Sequence, residues 1–338
     1  VSLAVWQDAL RCTACGGPLA AGEAELRCVL CAETFPIADG IPRMLTASAR
    51  RALRGESGDA LDPRQVATAQ SFGYEWQRFH EMYAEWEASF LEYVAPHGPD
   101  FFRGKRVLDA GCGSGRHAHW AGRYGAEVWA VDLGPAVEVA RRNTADLPNV
   151  HVVQADLHRL PFPEESFDYV YSFGVLHHLP EPEAAFRGLL RYLKPGGEAQ
   201  IYLYWQPEGQ PIKRLLLAGV SAARAVTRRL PHPLLYGLSY PAAAAAYLGF
   251  VWPYRALRRL GAGALAESLP MRQYAAYPFR VCVNDQFDRF SAPIENRYTR
   301  AEVLSWLQRA GLQEPSVHAN YGWIGRGRKP GPGVAHEP

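Results

Sequence analysis

"VLDAGCGSGRHAHWAGRYGAEVWAVD", Val107 to Asp132, is the stretch whose reading decides the fold. It runs as an apolar strand, a glycine turn, a helix, a second apolar strand and a closing acid. A parallel α/β sheet uses that order to bring a nucleotide-like cofactor to the start of a helix. Nicotinamide and flavin dinucleotides and S-adenosylmethionine all use variants of it, so the neighbouring residues must discriminate.

Outward from this stretch, Lys105 to Trp205 alternates strand-like with helix-like runs. The strand candidates are "RVLDA", "EVWAVD", "VHVVQAD", "FDYVYS" and "EAQIYLYW". That alternation predicts a doubly wound parallel sheet. The turn carries Gly111, Gly113 and Gly115, with Arg116 where a third dinucleotide glycine would fall. Asp109 ends the first strand. A carboxylate there repels a pyrophosphate but suits an ammonium group, which favours S-adenosylmethionine, a ligand without phosphate. Asp132 closes the second strand, where it can accept both ribose hydroxyls. Asp156, after the third strand, is placed to accept from an adenine amino group while Leu157 packs on the ring. The next strand ends in "SFGVLHHL", which contains Phe173 and Gly174.

"VLDAGCGSG", "AVDLG", "QADLHRLPFPEESFDYVYSFGVLHHL" and "LKPGG" resemble the successive motifs of class I S-adenosylmethionine-dependent methyltransferases. The resemblance is strong from Lys105 to Trp205 and weak over the last helix and hairpin. It implies a seven-stranded Rossmann-like sheet with an antiparallel last strand. The cofactor contacts it implies are Asp109, Gly111 and Gly113 around the methionine moiety, Asp132 at the ribose, and Asp156 and Leu157 at the adenine; Gly115, Leu133 and Phe173 are expected cofactor contacts as well. Cys112 reads as a small packed residue, since no base is fixed near it.

The N-terminal "CTAC" and "CVLC" place Cys12, Cys15, Cys28 and Cys31 as two C-x2-C pairs, the spacing of a tetrahedral zinc site. Four protein thiolates leave no open position, so the metal is expected to be structural. The unit resembles small zinc-ribbon proteins that partner methyltransferases. Its clearest basic residues, Arg11, Arg27 and Arg43, lie among acids, which favours a bracing role over RNA contact.

The parts expected are a zinc ribbon over 1–45, a linker and aromatic helical lead-in over 46–104, the cofactor core over 105–205, an insertion over 206–297, a closing helix and hairpin over 298–329, and a disordered tail over 330–338. Thr299 and Glu302 form a capping box that starts the last helix, and Gly311 is placed to end it. The 338 residues carry a net charge of +2, which argues against a strongly basic nucleic-acid footprint. "VSLAVWQDALRC" lacks a signal-peptide pattern, so a cytoplasmic location is expected.

For proton removal, His177 is the expected base, and His178 is expected to support backbone. Phe72, Tyr74 and Trp76 are candidates to cover the cofactor, and Tyr74, Trp76, Asp285, Asp288, Arg289 and Tyr298 to contact substrate. No oxygen-ligand cluster for a hard cation stands out, and the Asn/Asp-Pro-Pro-aromatic motif of adenine methylation is missing. The insertion contains "PHPLLYGLSYPAAAAAYLGFVWPY". Pro231, Pro233, Pro241 and Pro253 are expected to break this run into pieces too short to span a bilayer, giving an apolar lid or dimer face. Peripheral membrane contact through that lid stays open. The reading is a methyltransferase acting on a small, apolar or aromatic acceptor. Its rivals are an RNA methyltransferase that uses the ribbon and a non-catalytic binder of the same fold.

Overall fold

The structure, a computed structural model, describes residues 3–56 and 61–331. The expected tail therefore lies almost wholly outside the described residues. Seven strands form the main sheet: β5 (Arg106–Ala110), β6 (Glu127–Asp132), β7 (Val150–Gln154), β8 (Phe167–Phe173), β9 (Leu193–Leu203), β10 (Gln313–Ala319) and β11 (Trp323–Arg328). Their order is β10-β11-β9-β8-β5-β6-β7. β5 to β9 are parallel, and β11 inserts antiparallel between β9 and β10. The expected doubly wound seven-stranded sheet is thus present, with its antiparallel last strand. The central strands are buried on both faces, as their continuous apolar runs require. Thr299 and Glu302 close the capping box of helix Arg300–Arg309, and Gly311 takes a positive φ of 70° just past its end.

The N-terminal unit is a four-stranded antiparallel meander: β1 (Leu19–Ala21), β2 (Glu25–Cys28), β3 (Thr34–Ala38) and β4 (Ile41–Pro42). It shares one core with the main sheet rather than standing apart. Trp6 is buried with its ring edge-on to Trp129 of β6 and His151 of β7, at 5.8 Å from each. Leaving the ribbon, the chain runs along β7, where the Met44 amide donates to the Gln154 carbonyl at 2.7 Å. An edge strand with bare backbone groups is covered in this way. Arg43 adds an ion pair to Glu138 at 2.5 Å.

Two expectations about the intervening segments change. The polar stretch after residue 46 is not a free linker: Ala47–Leu53 is a helix, capped by Thr46, that buries Ala49 and Ala52. The prolines of the insertion do not break its apolar run. His232–Arg259 is one continuous helix of 28 residues, an 18-residue stretch of which has a mean hydropathy of 1.3, long and apolar enough by length and composition to cross a membrane. Pro231 and Pro233 sit at its start, where a missing N–H costs nothing. The helix widens to a π-turn at Tyr247–Val251, immediately before Pro253, so the ring meets a loosened turn instead of a tight carbonyl ladder.

The rest of the insertion is helical too, with Pro211–Thr227 before that helix and Phe279–Ser291 after it. Asp285 and Asp288 therefore lie on a helix. Its apolar face packs with Leu235, Ala243, Tyr247 and Val251 into a core of its own.

Candidate active site at the strand ends

The carboxyl ends of β5, β6, β7 and β8 converge beside the glycine turn. Gly111, Gly113 and Gly115 all have positive φ, of 90°, 51° and 79°. At Gly113 the requirement is also steric: an added Cβ would lie 2.9 Å from Nε1 of Trp76. The turn is tied to the next strand by Asp132, whose two oxygens accept from the Gly113 and Gly134 amides at 3.0 Å each.

Asp109 is 1% exposed, and its Oδ2 has no hydrogen-bond partner. Burial, which penalises the charged form, pushes its pKa up to about 7. A buried, unpaired carboxylate oxygen beside a glycine turn asks for a cationic donor. Asp156 accepts from Gln65 Nε2 at 3.0 Å and from the His158 amide at 3.1 Å. Leu157 is buried beside it, and Leu133 packs against the small cluster of Leu45 and Leu61. Phe173 is placed differently from the other expected contacts. It is a packed ring, stacked on Tyr171 at 4.7 Å and against Tyr93 at 5.2 Å.

Sequence reading looked to the aromatic residues of the lead-in for a cover and missed the polar face of the same helix. Helix Pro63–Arg78 lies along it, with one face touching each part in turn. Gln65 meets Asp156, Ala69 meets Gly134, and Gly73 meets Pro135 so closely that a Cβ would come within 2.3 Å. Trp76 then sits on Gly113. Phe72 instead rests edge-on against His178 at 4.9 Å, and Tyr74 turns away to stack on Phe287 of the insertion at 5.6 Å. The available signal was the helix's polar inward stripe, since Gln65, Thr68, Ser71 and Glu75 are all buried.

A second group of side chains gathers between this helix, the end of β9 and helix Phe279–Ser291. Glu75 is 1% exposed with Oε2 unpartnered, and burial, then the nearby Asp288 and Asp285, raises its pKa well above the carboxylate range. Asp285 accepts from the Tyr274 hydroxyl at 2.7 Å and Asp288 from the Tyr204 hydroxyl at 3.0 Å. The second oxygen of Asp288 and Oδ1 of Asn284 have no partner. His177 is fully buried, and its ring lies 3.9 Å from that of Tyr204. Neither ring nitrogen is hydrogen-bonded, and burial holds its pKa well below the ordinary value, so the imidazole is neutral. His178 does support backbone, through Nδ1 to the Ile294 carbonyl at 2.6 Å.

Next to this group a narrow cleft of about 20 Å³ is lined by Trp76, Trp86, Ser114, Arg116, Arg280 and Asn284. The Arg116 guanidinium lies over Trp86 at 4.8 Å and Trp76 at 5.7 Å. Of the remaining expected contacts, Arg289 accepts from Arg224 at 2.8 Å through its carbonyl, while its charge acts on Asp285. Tyr298 packs on Trp306 at 4.7 Å, where it joins the closing helix to the sheet.

The four N-terminal thiols come together as their spacing predicts. All four Sγ atoms lie within 4.8 Å of one another, with Cys12 to Cys31 at 3.7 Å and Cys15 to Cys28 at 3.4 Å. Four thiolates about 2.3 Å from a tetrahedral zinc would stand about 3.8 Å apart, so the cluster fits the metal. Cys112 is buried in the core, and burial pushes its thiol pKa well up.

Residues 108–201 match the methyltransferase domain family. The demethylmenaquinone methyltransferase of Clavibacter sepedonicus is 37% identical over 131 residues, which cover 38% of this chain and 51% of that protein. A ubiquinone biosynthesis O-methyltransferase of Nitrosococcus oceani is 29% identical over 181 residues, 51% of this chain and 72% of that protein. Among solved structures, the YcgJ protein of Bacillus subtilis aligns at 26% identity with a TM-score of 0.35, covering 42% of this chain and 59% of that one. The chain thus spans about half the length of the Clavibacter relative.

Proposed function

We propose that this chain, built on a class I methyltransferase core, transfers a methyl group from S-adenosylmethionine to a small biosynthetic acceptor. The observation that carries the reading is the unpaired, buried Oδ2 of Asp109 beside the glycine turn, in line with Asp132 and Asp156 at successive strand ends. An amino-acid ammonium, a ribose and an adenine meet those three carboxylates in order. The cofactor, when bound, supplies a sulfonium methyl activated for in-line displacement.

The chain's residues have three tasks. Asp109, Asp132 and Asp156 hold the cofactor. Helix Pro63–Arg78 covers it and excludes water, which strengthens every polar contact beneath. The cleft beside Trp76 and Asn284 receives the acceptor, and the cluster of Glu75, Asp285, Asp288, Tyr204 and His177 next to it takes the displaced proton. Neutral His177 and the free oxygen of Asp288, both against Tyr204, are placed to take that proton. Aromatic walls with a few convergent polar groups suit an aromatic acceptor bearing a hydroxyl. The names of the quinone-pathway relatives support the same class. We propose zinc as the ribbon's structural ion, held by Cys12, Cys15, Cys28 and Cys31.

The test is transfer of labelled methyl from S-adenosylmethionine to host extract, followed by partition. Label in organic-soluble or small aqueous products is expected. RNase-sensitive label in the acid precipitate would overturn the small-molecule reading.

A further inference from the structure

The helical insertion has two features that the catalytic reading does not use. The first is its charge. Residues 209–266 contain eight Lys and Arg and no Asp or Glu, in a chain whose net charge is only +2. The second is its exposed apolar surface. Nine of the thirteen exposed large apolar side chains among the described residues fall between Leu215 and Leu265.

These side chains form a stripe. On helix His232–Arg259 the buried face is Leu235, Ser239, Ala243, Tyr247 and Val251, which packs on the helix that carries Asp285 and Asp288. The opposite face presents Leu234, Leu238, Pro241, Ala245, Leu248 and Trp252, all exposed, and ends at exposed Arg259. The preceding helix, Pro211–Thr227, has Leu215 74% exposed and Val226 62% exposed. It is fastened by polar groups: Arg224 pairs with buried Glu295 at 2.7 Å, and the Thr227 hydroxyl donates to the Phe290 carbonyl at 2.9 Å. Arg228 and Arg229 stand exposed at the corner between the two helices.

We propose that this outer face docks on an anionic bilayer surface, with the stripe from Leu234 to Trp252 seated at the headgroup–acyl boundary and the arginines on lipid phosphates. Leu and Trp on one face beside a purely basic flank are what an interfacial helix presents to anionic lipid. A spanning helix would need lipid on all sides, whereas one face of this one is committed to the protein's own core. Contiguous exposed apolar surface of this kind marks an interaction site. The absence of acids from the segment selects a negatively charged partner.

The test is co-sedimentation of the full chain with two kinds of vesicle, phosphatidylcholine alone and equal parts phosphatidylcholine and phosphatidylglycerol, at low and high salt. Binding to the anionic vesicles, weakened by salt, is expected. Replacing Arg228, Arg229 and Arg259 by Gln should weaken partition by about fivefold for each arginine. Leu248→Ser with Trp252→Ser should remove the salt-resistant remainder. All five positions are exposed, so an unchanged unfolding midpoint will verify that the variants fold. Failure to sediment with either vesicle would overturn the proposal. So would preferential retention on RNA, or a dimer in sedimentation equilibrium that Leu248→Ser with Trp252→Ser dissolves.

Discussion

Replacing Asp109 by Asn should move stability and cofactor affinity in opposite directions, and the size of each change follows from the geometry. The carboxyl is buried, and its pKa is about 7 in the folded chain against 3.8 for a free side chain. Below pH 4 the group is protonated both folded and unfolded and contributes no difference. As pH rises from 4 to 7 the unfolded chain releases the proton while the folded chain retains it, so the wild type loses stability. Above pH 7 the loss is constant at about 4 kcal/mol. An amide has no proton to lose. Asp109→Asn should therefore match wild type near pH 4, be more stable by about half of that amount near pH 5.5, and show the full difference at pH 8.

Its affinity for S-adenosylhomocysteine should fall. A charge-assisted hydrogen bond to the amino-acid ammonium contributes about 1.5–3 kcal/mol, or a roughly 10- to 100-fold change in Kd. Urea unfolding at the three pH values and calorimetric titration with S-adenosylhomocysteine read the two effects separately. A variant that binds as tightly as wild type, or whose added stability does not shrink at low pH, would refute the placement of an uncompensated charge at Asp109.

Other variants test the remaining parts. Gly113→Ala places a Cβ 2.9 Å from the Trp76 indole in a left-handed backbone, so S-adenosylhomocysteine affinity should drop at least about tenfold, with a change in tryptophan emission. Cys15→Ser should abolish stoichiometric zinc, read by a metallochromic dye, and lower the thermal midpoint, because the metal supplies folding energy to so small a unit. Asp288→Asn should lower kcat for an acceptor hydroxyl by about 10²-fold or more. An unchanged kcat would leave the base role to His177 alone.

What was legible in the sequence was local. The glycine turn, the strand-terminal acids at Asp109, Asp132 and Asp156, the capping box at Thr299 and the C-x2-C pairs each announce themselves within a few residues. The chemistry of such sites is set by spacing along the chain. What was not legible depends on separation. Gln65 reaches Asp156 across 91 positions, and Gly73 makes room for a proline in another loop. Glu75 joins Asp288 only because two helices distant in sequence pack face to face. The prolines of the insertion were misread for a different reason. Their usual helix-breaking effect assumes a regular ladder ahead of each ring, and the π-turn at Tyr247–Val251 removes that condition before Pro253.

Trp6 gives the ribbon a consequence beyond metal binding. Because its ring lies inside the core beneath β6 and β7, and Met44 continues the backbone pairing of β7, residue 45 is not a seam along which the molecule can part. The ribbon and the sheet should melt as one cooperative unit, in a single calorimetric peak whose temperature follows the metal. Trimming the chain to its recognisable catalytic part would leave Trp129 and a raw strand edge in water, so the truncated protein should self-associate instead of folding as a smaller enzyme.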